Sequence, residues 1–206
     1  MNRQQKLERR ICNHVSKPPL AMYDLGVGPA DGSKREWETL AAEYPEMRLF
    51  GCEPDPARHA ALEGIFPGEL LKVAIGAEPG RLSLHVDPTG RAAASFRNGR
   101  NLVDRVEVDV ITLDDFDAAC GRPDRILLWA DIEGAELDAI RGGRELLGSG
   151  RVRWINLEIG RWPYRQADQG WPDPTAIINR LFDLGFDLVE TYNQHKTHCD
   201  AIFVRE

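Results

Sequence analysis

Four short apolar runs, A-M-Y-D-L-G at residues 21–26, M-R-L-F-G-C-E at 47–53, R-I-L-L-W-A at 125–130 and W-I-N-L-E-I at 154–159, constrain this chain most. The first two are each followed by a stretch of helical periodicity. Trp37, Leu40, Ala41 and Tyr44 recur on one helical face until Pro45, and Asp55 with Pro56 forms an N-cap followed by proline at the first helical position. That helix runs toward Gly64. L-L-K-V-A-I-G gives a strand between the second and third of these runs, and a helix from about Ala135 to Leu147 joins the last two. Strand, loop and helix in alternation favour an α/β fold, a parallel sheet with helices on both faces.

Two regions depart from the alternation. R-L-S-L-H-V and R-V-E-V-D-V-I-T-L alternate apolar and polar residues, as half-exposed antiparallel strands do, and predict a β-hairpin insertion between strands three and four. Their link, Asp87 to Asp104, is long and rich in arginine, as a lid would be. Asp173 and Pro174 open a helix through Leu184 that Gly185 stops, and F-D-L-V-E-T-Y with C-D-A-I-F-V-R then forms an antiparallel hairpin that closes the sheet. At the start, Leu7, Ile11, His14 and Val15 predict a leading helix over Lys6–Val15, ended by Pro18 and Pro19, so residues 1–19 are leading helix and linker. With 206 residues the chain fits one domain, 1–206.

A formal charge of −7 opposes binding to a phosphate backbone and points away from nucleic acid. No run of about 18 apolar residues is present for a membrane span, and the N-terminal segment lacks the apolar centre of a signal peptide. Cys12, Cys52, Cys120 and Cys199 form no C-x-x-C pair, which fits reduced structural cysteines and a cytoplasmic location.

Ligands of open α/β sheets bind beyond the carboxyl ends of the strands. Strand one ends in D-L-G-V-G-P-A-D-G-S, where Gly26 and Gly28 permit a tight turn and close approach to a ligand. Strand two ends in Glu53, placed to accept both ribose hydroxyls of a nucleoside. Ala30 and Asp31 replace the bare amides a pyrophosphate needs, which disfavours NAD and favours S-adenosylmethionine, whose amino group and sulfonium tolerate carboxylates. Asp24 either holds that amino group or caps the glycine loop.

Read together, D-L-G-V-G, G-C-E-P-D-P, V-A-I-G, V-I-T-L-D-D-F and A-D-I-E-G-A-E-L-D-A-I-R-G-G resemble the FkbM family of S-adenosylmethionine-dependent methyltransferases. The resemblance spans roughly Tyr23 to Glu158. It implies a class I methyltransferase (Rossmann-like) fold with a seven-stranded sheet, the last strand antiparallel, and O-methylation of a hydroxyl on a small molecule, sugar or natural product. It also implies that Asp24, Gly26 and Gly28 hold the methionine part, Glu53 the ribose, and Ala74 and Ile75 the adenine. P-A-D-G-S departs from the family's usual A-N-x-G.

On this reading Asp131, Glu133 and Glu158 face the methyl group, and Asp131 binds the acceptor hydroxyl or takes its proton, beside the cofactor. His195, in the loop of the closing hairpin, is a rival base. Glu136 is expected to be an exposed helix residue. Trp162, Tyr164 and Trp171 with Arg161 and Arg165 suit a wall for a small-molecule or glycan acceptor. A Mg²⁺ ion on Asp131 and Glu158, with Asp109, Glu133 or water, is possible but not expected. Other readings are a non-catalytic protein of the same fold that binds S-adenosylmethionine or a sugar, and a homo-oligomeric assembly.

Overall fold

The computed structural model describes residues 17–28, 36–86, 104–160, 172–192 and 198–206. In chain order the strands are β1 (Ala21–Leu25), β2 (Arg48–Cys52), β3 (Glu69–Leu71), β4 (Ala74–Gly76), β5 (Gly80–Val86), β6 (Asp104–Thr112), β7 (Ile126–Ala130), β8 (Val152–Gly160), β9 (Asp187–Tyr192) and β10 (His198–Val204). The helices are α1 (Glu36–Glu43), α2 (Pro56–Leu62), α3 (Leu113–Ala119), α4 (Glu136–Gly142), α5 (Arg144–Gly148) and α6 (Pro174–Asp183). The expected leading helix over Lys6–Val15 and the arginine-rich link at 87–103 lie outside the described residues.

Strands β1 and β7 are buried along their whole length, as strands covered on both faces must be. They lie at the centre of a seven-stranded sheet of order β3-β2-β1-β7-β8-β10-β9. Its members β1, β2, β3, β7 and β8 pair in parallel, while β10 is antiparallel to both β8 and β9. The antiparallel last strand is the one that both the hairpin pattern and the resemblance implied.

Side-chain alternation divides the interior in two. On one face Tyr23, Leu25, Phe50, Leu128 and Ile155 pack with Phe116, Ile140, Leu147, Ile177 and Leu181 from the helices α3 to α6. On the other, Met22, Leu49, Leu127, Trp129 and Trp154 pack with Trp37, Leu40 and Leu62 from α1 and α2. The helix starts follow their caps. Asp55 accepts from the N–H groups of Ala57 and Arg58 ahead of α2, and Asp173 from that of Thr175 ahead of α6, each with proline opening the helix.

The inserted hairpin is present, since β5 and β6 pair antiparallel. It forms no extension of the main sheet. With β4 it makes a separate three-stranded sheet, so the expected third strand is divided, β3 pairing with β2 and β4 with β6. The sequence reading also missed α3, whose Thr112 and Asp115 form a reciprocal capping box. Nor is the helix from Ala135 to Leu147 continuous. Asp114 at the start of α3 accepts from the N–H groups of Glu145 and Leu146, and thereby begins α5 as a separate helix after Gly143.

Gly142 explains how the small sheet is held against α4. A Cβ placed there would lie 2.1 Å from the Gly76 carbonyl oxygen and 3.3 Å from the Thr112 Cβ. Gly142→Ala is therefore expected to destabilise by about 1–3 kcal/mol despite the better helix propensity of alanine. Gly148→Ala is the control, because its Cβ meets nothing within 4 Å; it should be neutral or stabilising by less than about 1 kcal/mol. Urea unfolding midpoints of both variants check this.

Candidate functional site at the carboxyl edge of the sheet

The parallel strands end together. Leu25 is the register partner of both Cys52 and Ala130, and Ala130 that of Leu157. Four neighbouring strands thus deliver Gly26, Glu53, Asp131 and Glu158 to one edge. Running the opposite way, β10 brings its beginning to the same place, with Asp200 opposite Glu158 and His198 opposite Gly160.

Gly26 adopts φ +81°, a left-handed conformation that glycine takes without strain. Its N–H and that of Val27 both donate to the Cys52 carbonyl, at 3.0 and 3.2 Å. A Cβ on Gly26 would lie 2.2 Å from the Asp131 carbonyl oxygen, so the close approach here is to the chain after β7 rather than to a ligand. An added Cβ on Gly28 meets no atom of the described residues within 4 Å. Asp24, 5% exposed, is a buried carboxyl at the end of β1.

Glu53 is 4% exposed and its Oε1 accepts from the Asp55 N–H at 2.9 Å. Burial pushes its carboxyl up to about 7, against the pull of that hydrogen bond and of the Arg58 guanidinium. Arg58 also acts on Asp131 and Glu133, which makes it the cation shared by both halves of the edge. Sequence reasoning overlooked it. The available signal was its place three residues after the Asp55 cap, on the first turn of a helix that leaves a strand end.

The turn D-I-E-G-A-E is built around its last acid. Glu136 is fully buried, and its Oε1 accepts from the N–H groups of Ile132 and Gly134, each at 3.2 Å. It is an internal staple, which corrects the expectation of an exposed helix residue, and burial pushes its carboxyl up to about 7. The staple supports Glu133 and Gly134 at φ +53° and +99°. Glu133 therefore belongs to the turn and not to the helix, which starts at Glu136. Its carboxyl is also raised to about 7, first by burial and then by Asp131.

Asp131 is exposed at the end of β7, and neighbouring protein still raises its carboxyl above the ordinary value, chiefly by desolvation. It follows Ala130 on β7 as Glu158 follows the register partner Leu157 on β8, so the two carboxyls are neighbours at the edge. Burial raises both carboxyls, and the charge of Asp131 raises Glu158 further, so the pair retains a proton that an isolated carboxyl would lose. On the other side of Glu158, His198 Nε2 lies 3.1 Å from Oε1.

The histidine brought to the acids is thus His198. His195 lies outside the described residues, as do Ala30, Asp31 and the acceptor-wall residues Arg161, Trp162, Tyr164, Arg165 and Trp171. Ala74 and Ile75 are 3% and 2% exposed, with side chains in two different apolar cores, so a ligand alongside β4 meets backbone. Asp109 pairs with Arg81 at 3.2 Å on the small sheet and does not join Asp131. Among the described residues, no group of three or more His, Cys, Asp or Glu side chains is arranged to hold a metal ion.

The model of the family described as the methyltransferase FkbM domain matches residues 27–188. A 2-O-methyltransferase, NoeI, of Sinorhizobium fredii is 29% identical over 208 aligned positions, covering 91% of this chain and 80% of its own length. Among solved structures, magnesium protoporphyrin IX methyltransferase of Synechocystis with bound S-adenosylhomocysteine superimposes with a TM-score of 0.53 at 10% identity, covering 98% of this chain and 82% of the other. A DUF574-family protein of Streptomyces avermitilis gives 0.55 at 14% identity over 98% and 82% of the two chains. These last two are similarities of fold.

Proposed function

Because the chain belongs to the FkbM methyltransferase family, we propose that it transfers the methyl group of S-adenosylmethionine to a hydroxyl oxygen of a sugar or other small hydroxylated molecule. The observation that carries this reading is the register that sets Asp131 and Glu158 side by side at the carboxyl edge of the sheet, beside the strand ends that carry Gly26 and Glu53. The relative named a 2-O-methyltransferase favours oxygen as the acceptor atom.

The residues present fit the donor. Among the described residues, an added Cβ on Gly28 meets nothing within 4 Å, which leaves room for the donor, and the Glu53 carboxylate can accept from a ribose diol through the oxygen not used by Asp55. Among the same residues, carboxyls outnumber cations along the edge, which suits a ligand carrying an ammonium and a sulfonium. When bound, the donor supplies an electrophilic methyl carbon. Asp131 accepts a hydrogen bond from the acceptor hydroxyl, aligns its oxygen with that carbon and receives its proton as the oxygen–methyl bond forms. Glu158, protonated, donates to Asp131 and holds it in place.

Three further expectations accompany this reading. The acceptor is a small molecule or glycan and not a nucleic acid, in keeping with the charge of −7. Among the described residues, Cys52, Cys120 and Cys199 are buried thiols outside any disulfide, in keeping with the cytoplasm as the proposed compartment; no helix among them is long and apolar enough to cross a membrane. Finally, Mg²⁺ is not required on this reading, because a carboxyl pair that retains a proton is a poor site for a hard cation.

Calorimetric titration with S-adenosylhomocysteine, beside NAD⁺ and with and without Mg²⁺, tests the donor site. Micromolar binding of the first alone is expected, and binding of neither would end this reading. Affinity should also depend on pH through Glu53. Its carboxyl is protonated below about 7 and accepts the diol best when ionised, so affinity falls as pH drops below 7, by at most about tenfold per pH unit. In Glu53→Gln, affinity should be about 10- to 100-fold weaker near pH 8, and this contribution to the pH dependence should vanish. An unchanged affinity and slope in that variant would remove ribose from Glu53.

A further inference from the structure

Antiparallel pairing places Asp200 directly across from Glu158 and His198 across from Gly160, so His198 and Glu158 are diagonal neighbours on one sheet face. The resulting 3.1 Å contact between Nε2 and Oε1 adjoins Asp131, which follows Ala130 on β7 as Glu158 follows its register partner Leu157 on β8. A chain of three titratable groups therefore runs from the end of β7 to the beginning of β10. The His198 side chain is 33% exposed, against 12% for Glu158. The inner acid has little access to water and the imidazole has a good deal.

We propose that the proton of the acceptor hydroxyl leaves the site through Glu158 to His198, which passes it to solvent. This rests on the methyl-transfer reading above and extends it to the exit of the proton. As the acceptor oxygen bonds to the methyl carbon and the carbon–sulfur bond breaks, the hydroxyl proton moves to Asp131. The proton already on Glu158 moves to His198 Nε2, and Glu158 becomes the acceptor of the new Asp131 O–H. His198 then releases one proton to water, and the original arrangement returns. Overall, a sulfonium and an alcohol become a thioether, an ether and one proton, so nothing further is consumed.

His198 is in this sense a positioning and relay residue that acts through Glu158. Several charges bear on it or on the pair it serves: Glu158 from β8, Asp200 on its own strand, Asp131, Glu133 and Glu136 from the turn after β7, and Arg58 from α2. The relay makes opposite predictions for its two acids. Glu158→Gln leaves a neighbour that cannot ionise, so charging of His198 can no longer draw the pair's negative charge onto that position, and the pH midpoint of the ring should fall. Asp131→Asn removes the charge that suppresses ionisation of Glu158, places the negative charge next to the imidazole and should raise that midpoint.

The test is an NMR titration of the His198 ring, assigned with His198→Asn, in the full chain with and without S-adenosylhomocysteine. Opposite displacements in Glu158→Gln and Asp131→Asn are expected, together with retained S-adenosylhomocysteine affinity in both. A merely structural histidine would not respond with opposite sign. Midpoints that do not move, or move together, in variants that still bind S-adenosylhomocysteine overturn the relay and leave the methyl-donor site standing. Failure of the wild-type chain to bind S-adenosylhomocysteine, with the titration still readable, instead overturns the reading on which the relay rests.

Discussion

Asp117→Ala is expected to lower the unfolding free energy by about 3 kcal/mol, the largest stability loss we anticipate from a single side chain distant from the carboxyl edge. Asp117 Oδ1 accepts from the Tyr23 hydroxyl at 2.8 Å and from Arg151 at 2.9 Å, and Oδ2 accepts from Arg151 at 2.5 Å. Tyr23 is fully buried, edge-on to the rings of Phe50 and Phe116. Without Asp117 its hydroxyl loses its acceptor inside the core. Arg151 keeps its bond to the Pro123 carbonyl and some access to water, which limits the loss. Tyr23→Phe should cost only about 1 kcal/mol, because it removes a donor while Arg151 continues to satisfy the carboxylate. Urea unfolding of the two variants measures both, and a loss below about 1 kcal/mol for Asp117→Ala would show that the network contributes little. Donor affinity should be unaffected, since Tyr23 faces the opposite side of β1 from Asp24.

The largest functional loss is expected from Asp131→Asn. Asparagine preserves the shape and can donate from its amide to an ionised Glu158, but it cannot take a proton. Methyl transfer should fall by about 10²- to 10⁴-fold, while S-adenosylhomocysteine affinity stays within about threefold. The measurement is transfer of radiolabelled methyl from S-adenosylmethionine to a panel of hydroxylated sugars, with affinity determined separately by calorimetry. Full activity in Asp131→Asn would assign the proton to another group. Binding without transfer to any acceptor by the wild-type chain would favour the non-catalytic reading.

Periodicity and capping made most of the sheet legible. The four apolar runs, the Asp55 and Asp173 caps and the closing hairpin all stand where the residues imply. The division of L-L-K-V-A-I-G was not legible, because its two halves pair with strands far apart in sequence, β2 and β6, and nothing local records that choice. The capping box at Thr112 was local and readable, and was masked by the β-branched run that precedes it. Glu136 misled for a different reason. An acid in the first turn of a helix usually faces water, and only the left-handed turn before it, with two N–H groups to satisfy, makes burial of that carboxyl worthwhile. Arg58 acts through space from α2 and His198 across strands by register, relations that composition does not reveal.

On the proposed reading, the close approach of Gly26 to the Asp131 carbonyl joins the two halves of the site mechanically. The donor loop leans on the same peptide that carries the acid, and the Asp131 N–H is tied back to Leu25 at 3.1 Å. Alignment between methyl carbon and acceptor oxygen is then set by one backbone junction rather than by two loops moving independently. A sequence of this kind can change its acceptor by altering the segments above the edge. It cannot easily loosen its hold on the donor without also displacing the group that receives the proton.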